Sequence, residues 1–172
     1  MRRRPKATHL QLVPASPRPN CSLDAVQLIE SSEHCAPFFV DAMTFEEDTS
    51  LVLSADTTVR DTGEHLVRIM TALYQEQSRP PGCVVVQRRH PYRFLAIVHD
   101  LEQQPSWREE WVVSALGEVF ALCNTLHITA LGLEPLGAKH GRLPLARFRE
   151  LLNAALEAAP MGDLKKIWIV TV

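Results

Sequence analysis

Short apolar runs that alternate with amphipathic stretches limit most strongly what this chain can fold into. The patterns predict strands over residues 25–29, 38–43, 50–54, 83–86, 94–98, 126–133 and 167–172, and helices over 61–77, 107–123 and 145–159. Such alternation implies a mostly parallel sheet with helices on both faces. The polar connection at 88–92 is too short for a crossover helix, so it predicts one antiparallel pair. We therefore expect a three-layer α/β fold with a mixed, mostly parallel sheet.

Length and charge restrict the organisation of the chain and its classes of partner. The 172 residues favour one domain, which we place at residues 23–172 after a flexible or extended, proline-bearing segment at residues 1–22. The net charge of -2 argues against general nucleic-acid binding, which uses a basic face. No apolar run reaches the ~20 residues of a membrane helix, and no signal-type stretch follows the basic start. We expect a cytoplasmic protein, and the sequence leaves its oligomeric state open.

The cysteines and histidines show no spacing typical of a metal site. The four cysteines form no C-x-x-C pair and stand at no zinc-ligand spacing with a histidine. We expect reduced thiols, no metal and no cofactor. Neither a Ser-His-Asp order nor a G-x-S-x-G elbow appears, so no catalytic residue is predicted. His99, at the end of a predicted strand, is interpreted as a hydrogen-bonded structural residue.

Two loops at the carboxyl ends of predicted strands are candidate ligand sites, because open α/β sheets bind ligands there. The second of them, 134–144, precedes a helix, whose N-terminus favours anions. Its candidate residues are Gly137, Ala138, Lys139, His140, Gly141 and Arg142. Glycines allow close approach of the backbone to an anion, and the basic side chains supply charge. An ordinary turn with solvated charges is the alternative.

The first loop, 55–63, follows the run at 50–54. The candidates here are Ser54, at the end of that run, and Ala55, Asp56 and Gly63 in the loop. Ser54 and Asp56 could hydrogen-bond a ribose, or Asp56 could belong to a turn that starts the next helix. The acidic residues Glu46, Glu47 and Asp48 are interpreted as a solvated turn.

Four segments in order resemble the macro domain family, which binds ADP-ribose. The first, Val52-Leu53-Ser54-Ala55-Asp56, is similar to a strand ending in Val-Asn-Ala-Ala-Asn, which in the family leads through a glycine-rich turn into a helix. The second joins residues 81–86 to 93–99 and is similar to a hairpin that often ends in Ile-His. The third is the helix at 111–123. The fourth, residues 128–144, resembles the phosphate loop Pro-x-x-Gly-Thr-Gly-x-x-Gly-x-Pro.

The resemblance covers residues 37–172 and includes departures from the family pattern. Ser54 and Asp56 stand at asparagine positions, and Lys139 stands where a second glycine is usual. The aspartate that usually reads adenine has Ala42, Met43 and Thr44 as its nearest counterparts, with Asp41 displaced.

The resemblance implies a divergent module that binds ADP-ribose or a related phosphorylated nucleotide without efficient catalysis. One alternative is a structural or protein-interaction domain that has lost its ligand. A second alternative is a hydrolase of ADP-ribose conjugates.

Overall fold

The computed structural model describes residues 26–51, 53, 78–160 and 162–171. The predicted segment 1–22, the predicted helix 61–77 and the candidates Ser54, Ala55, Asp56 and Gly63 lie outside the described residues, so these remain predictions.

Six strands and two helices make up the described elements. They are β1 (Gln27–Ser32), β2 (Ala42–Asp48), β3 (Val84–Gln87), β4 (Tyr92–His99), α1 (Glu109–Thr125), β5 (Ala130–Leu133), α2 (Leu145–Ala158) and β6 (Lys166–Thr171).

The strands form one mixed sheet in the order β1-β6-β5-β2-β4-β3. Every neighbouring pair is parallel except β3 with β4, where Val85 lies opposite Leu95. The mixed, mostly parallel sheet is therefore confirmed, as is the antiparallel hairpin. Because the other strands run the same way, the ends of β1, β2, β5 and β6 share one edge, which is where ligands bind in such sheets.

The core lies between the sheet and its helices. Helix α1 turns Val112, Leu116 and Phe120 inward at a spacing of four residues, and all three are buried. Helix α1 packs on β4 and on α2, which buries Phe148 and Leu152. Among the described residues, no helix has the length and apolar character needed to cross a bilayer.

Several predicted strand boundaries are wrong, because apolar residues at these positions do not belong to a strand. Residues Ser50, Leu51 and Leu53 lie in a turn, not in the predicted strand 50–54. Strand β5 starts only at Ala130, because residues 126–129 form the turn after α1. Strand β2 begins four residues later than predicted, and Phe39, at the apolar start of the predicted run, is fully exposed.

The acidic cluster is the largest departure from the sequence interpretation. Glu46, Glu47 and Asp48 are the last residues of β2, and all three are buried. They do not form a solvated turn. Burying carboxylates is costly unless their oxygens find donors, and the carboxyl edge of the sheet supplies these donors.

Candidate functional site

The loop after β5 has a shape that two glycines make possible. Gly137 has a φ of +78°, which side chains rarely allow. A Cβ on Gly141 would lie 2.5 Å from the Gly137 carbonyl oxygen. That same oxygen accepts the Leu143 N–H at 2.9 Å, which closes the loop on itself. The predicted loop is therefore present and its geometry depends on both glycines, while its role as a ligand site stays a prediction.

The backbone of this loop converges on one anionic group, the carboxylate of Glu46. Gly137 N–H and Lys139 N–H donate to Glu46 Oε2, at 3.0 and 3.4 Å. His140 N–H donates to Glu46 Oε1 at 3.1 Å. Convergent backbone N–H groups of this kind form the concavities that bind anions in phosphate loops. In this structure, the group that these backbone donors bind is a side chain of the protein itself.

The imidazole of His99 supplies a further contact to the same carboxylate. His99 Nε2 is hydrogen-bonded to Glu46 Oε1, and both side chains are almost completely buried. His99 ends β4, the strand beside β2. The predicted hydrogen bonding of His99 is confirmed, and its purely structural role stays a prediction. The ring of His140 meets that of His99 edge-on, with the ring centroids 6.1 Å apart.

The other two carboxylates at the end of β2 organise the turn that follows. Glu47 Oε1 and Asp48 Oδ2 accept the Leu53 N–H at 2.7 and 2.9 Å, and Asp48 Oδ1 accepts the Ser50 N–H at 2.7 Å. A register shift between Glu47 and Asp48 marks an irregularity in the strand here.

A pocket of about 500 Å³ opens beside the loop at the carboxyl ends of β1 and β6. Ser32, Glu33 and His34 form one side of it, where the chain leaves β1. Loop residues including Glu134, Ala138 and Lys139 line the pocket as well, together with Val170, Thr171 and Leu145. The volume falls within the usual range for small-molecule sites. The pocket and the Glu46-bound loop are contiguous, since Lys139 belongs to both.

Glu134 places a carboxylate in the pocket, which is unfavourable for an anionic ligand. Its side chain is 18% exposed, and burial raises its pKa, an effect that the nearby Glu46 and Glu33 carboxylates reinforce and the Lys139 ammonium partly opposes. The Lys139 Nζ lies 3.8 Å from Glu134 Oε1. The ammonium charge of Lys139 is therefore already close to a carboxylate of the protein itself.

The three basic residues of the loop differ in exposure from its two glycines. Lys139, His140 and Arg142 are exposed, whereas Gly137 and Gly141 are buried. Arg142 adopts a left-handed φ of +64°. The structure therefore brings the candidates 137–142 together, with their basic side chains exposed and the amides of Gly137, Lys139 and His140 directed at Glu46.

Asp41 is displaced too far to read a base in this pocket. It precedes β2, and its Oδ2 accepts the Thr129 and Ala130 N–H groups at 2.8 and 3.0 Å, at the amino edge of the sheet. Ala42, Met43 and Thr44 lie within β2. The residues that follow the first strand and line the pocket are Glu33 and His34, which sequence reasoning missed.

Solved structures with a similar fold are macrodomains. The macrodomain of Thermus aquaticus DarG is 22% identical, with a TM-score of 0.60 over 85% of this chain and 99% of that one. The macrodomain of Mycobacterium tuberculosis DarG is 12% identical, with a TM-score of 0.61 over 86% and 99%. The chain has the macrodomain fold. A glycine-to-valine variant of the Oceanobacillus iheyensis macrodomain, solved with ADPR (ADP-ribose), also shares it at 12% identity and a TM-score of 0.57, over 84% of this chain and 85% of that one.

Sequence comparison adds nothing further, since no protein-family model and no curated protein matches. The macrodomain fold confirms the fold that the resemblance implied. In the described part of the chain, no group of three or more His, Cys, Asp or Glu residues could hold a metal ion.

Proposed function

We propose that this chain is a non-catalytic binding module for ADP-ribose or a related phosphorylated nucleotide. The observation that carries this proposal is the pocket at the carboxyl ends of β1 and β6, beside a loop with three exposed basic side chains. A nucleotide needs such a pair of features: a concave site for the nucleoside and cations for its phosphates.

The chemistry of the pocket suits the nucleoside half of the ligand. Glu33 and Glu134 offer carboxylate oxygens, which accept hydrogen bonds from ribose hydroxyls or from the amino group of a base. Lys139 lies at the rim of the pocket next to Glu134. A nucleotide whose nucleoside occupies the pocket would place its phosphates against this side chain. His140 and Arg142 extend the basic surface along the loop.

The ligands of solved macrodomains support the same class of compound. Structures of the Oceanobacillus iheyensis macrodomain are described with ADPR and with ADP. Catalysis is not part of the proposal, because the imidazole of His99, beneath the loop, is paired with Glu46 in the interior. A hydrolase of ADP-ribose conjugates remains the second alternative, and the cytoplasmic location remains a prediction.

One observation favours the first alternative, a structural or protein-interaction module without a ligand. The backbone donors of the loop already have an internal acceptor, Glu46. A module that had lost its ligand would retain the fold in this way. Binding to the native chain decides between the two functions.

Calorimetric titration with ADP-ribose, ADP and adenosine tests the proposal. We expect ADP-ribose to bind the native chain and to bind at least about tenfold more weakly to a Lys139→Ala, Arg142→Ala double variant, since a charge-assisted hydrogen bond contributes ~1.5–3 kcal/mol. The matched control is Arg88→Ala, Arg89→Ala, which removes the same charge from the exposed β3–β4 turn. No binding of any of these ligands to the native chain would support the module without a ligand instead.

A further inference from the structure

The four consecutive amides of the loop are all engaged inside the chain. Gly137, Lys139 and His140 donate to Glu46, and Ala138 N–H donates to the Pro135 carbonyl oxygen at 3.0 Å. Each amide has a single proton to donate. An external phosphate therefore finds these donors occupied.

We propose that Glu46 is the resident anion of this loop and holds the place that a ligand phosphate would otherwise take. Its two oxygens receive three backbone N–H groups and the His99 ring, as a bound phosphate would receive its donors. Its side chain is fully shielded from solvent. Glu46 thereby becomes a residue that determines ligand specificity, although it need not touch the ligand.

Glu46 selects against ligands whose binding depends on a phosphate inside the loop. Such a phosphate would have to displace a buried carboxylate from all its donors or lie against it, and both options are unfavourable in a poorly screened site. The carboxylate of Glu134, at the rim of the pocket, also repels a phosphate. Among the described residues, the side chains of Lys139, His140 and Arg142 then meet the ligand phosphates. This last step rests on the proposed function, whereas the role of Glu46 in the loop does not.

Removing the carboxylate should create a binding site for a small anion. Glu46→Ala leaves a space lined by the amides of Gly137, Lys139 and His140, which have lost their acceptor. We expect this variant to melt roughly 5–10 °C below the native chain. Inorganic phosphate or acetate should then raise its melting temperature with increasing concentration, because a ligand that binds only the folded state stabilises it. The native chain, measured at matched ionic strength, should show no comparable rise.

The matched control is Glu46→Gln, which keeps the volume of the side chain and removes its charge. We expect it to be destabilised without recovery in phosphate or acetate, because the amide still fills the space. If Glu46→Ala gains no more from these anions than the native chain does, or loses no stability, the proposal is overturned.

A measurement on the native chain covers the case in which Glu46→Ala does not fold. The backbone amide resonances of Gly137, Lys139 and His140 should keep their positions while inorganic phosphate is titrated. Saturable shifts of these three resonances would overturn the proposal. Failure of ADP-ribose to bind the native chain would contradict the proposed function alone. The anion titration of Glu46→Ala and the amide resonances of the native chain would still test the role of Glu46.

Discussion

Glu46 and His99 lie on the adjacent parallel strands β2 and β4, and their side chains form a hydrogen-bonded pair beneath the loop at residues 137–140. The loop covers this pair and its amides complete the coordination of the carboxylate. At β2 and β4, the carboxyl edge of the sheet is thus closed by polar contacts, whereas many ligand-binding folds leave an open crevice at this edge.

Breaking this pair should be costly. His99→Ala removes a donor from a buried carboxylate, and we expect it to lower the free energy of unfolding by about 2–4 kcal/mol. Denaturant unfolding followed by circular dichroism measures the change. The control is the solvent-exposed pair of His127 and Asp163, whose nitrogen and oxygen lie 2.7 Å apart. His127→Asn, which suits the left-handed backbone at that position, should cost at most about 0.5 kcal/mol. Equal losses in both variants would show that the buried pair has no special role.

The charge of Glu134 should make stability depend on pH. Because its pKa is raised in the folded state, the folded chain binds this proton more tightly than the unfolded chain does. The destabilisation from the ionised carboxylate is therefore present at neutral pH and disappears as the pH falls through the folded pKa toward the ordinary glutamate value.

Glu134→Gln should accordingly equal or exceed the native chain in stability at pH 7, by on the order of 1 kcal/mol or less, since the lost attraction to Lys139 offsets part of the gain. The advantage should vanish near pH 4. Thermal unfolding between pH 4 and pH 8 measures it, and an advantage that grows toward low pH would contradict the electrostatic explanation.

Thr44 should tolerate the loss of its hydroxyl group. It is completely buried in β2, and its Oγ1 has no hydrogen-bond partner among the described residues. Because a buried polar group without a partner is unfavourable, Thr44→Val should raise the free energy of unfolding by about 1 kcal/mol. Denaturant unfolding checks this value, and a loss of stability would point to a partner for the hydroxyl.

Apolar patterns predicted the elements that packing controls. The β3–β4 hairpin and the two described helices occur close to their expected positions because their buried faces are made of Val, Leu, Ile, Ala and Phe. The sequence also located the loop at 134–144 through its glycines, and Gly137 and Gly141 are required by its backbone geometry.

The polar interior of the site could not be predicted in the same way. In β2, Thr44, Glu46 and Asp48 are buried at a period of two residues, but hydrophobic periodicity does not register a buried face made of polar side chains. Glu46 can be buried because the amides of Gly137, Lys139 and His140, ~90 residues further along the chain, turn toward it. One sequence signal for this buried polar face was present. Glu46, Glu47 and Asp48 come soon after the apolar residues of a predicted strand.

A crystal structure of the native protein grown with ADP-ribose tests the role of Glu46 most directly. We predict that its carboxylate remains within hydrogen-bond distance of the Gly137, Lys139 and His140 nitrogens, and that any phosphate lies outside the loop against the side chains of Lys139 or Arg142. A phosphate oxygen on those three nitrogens, with Glu46 turned away, would contradict it.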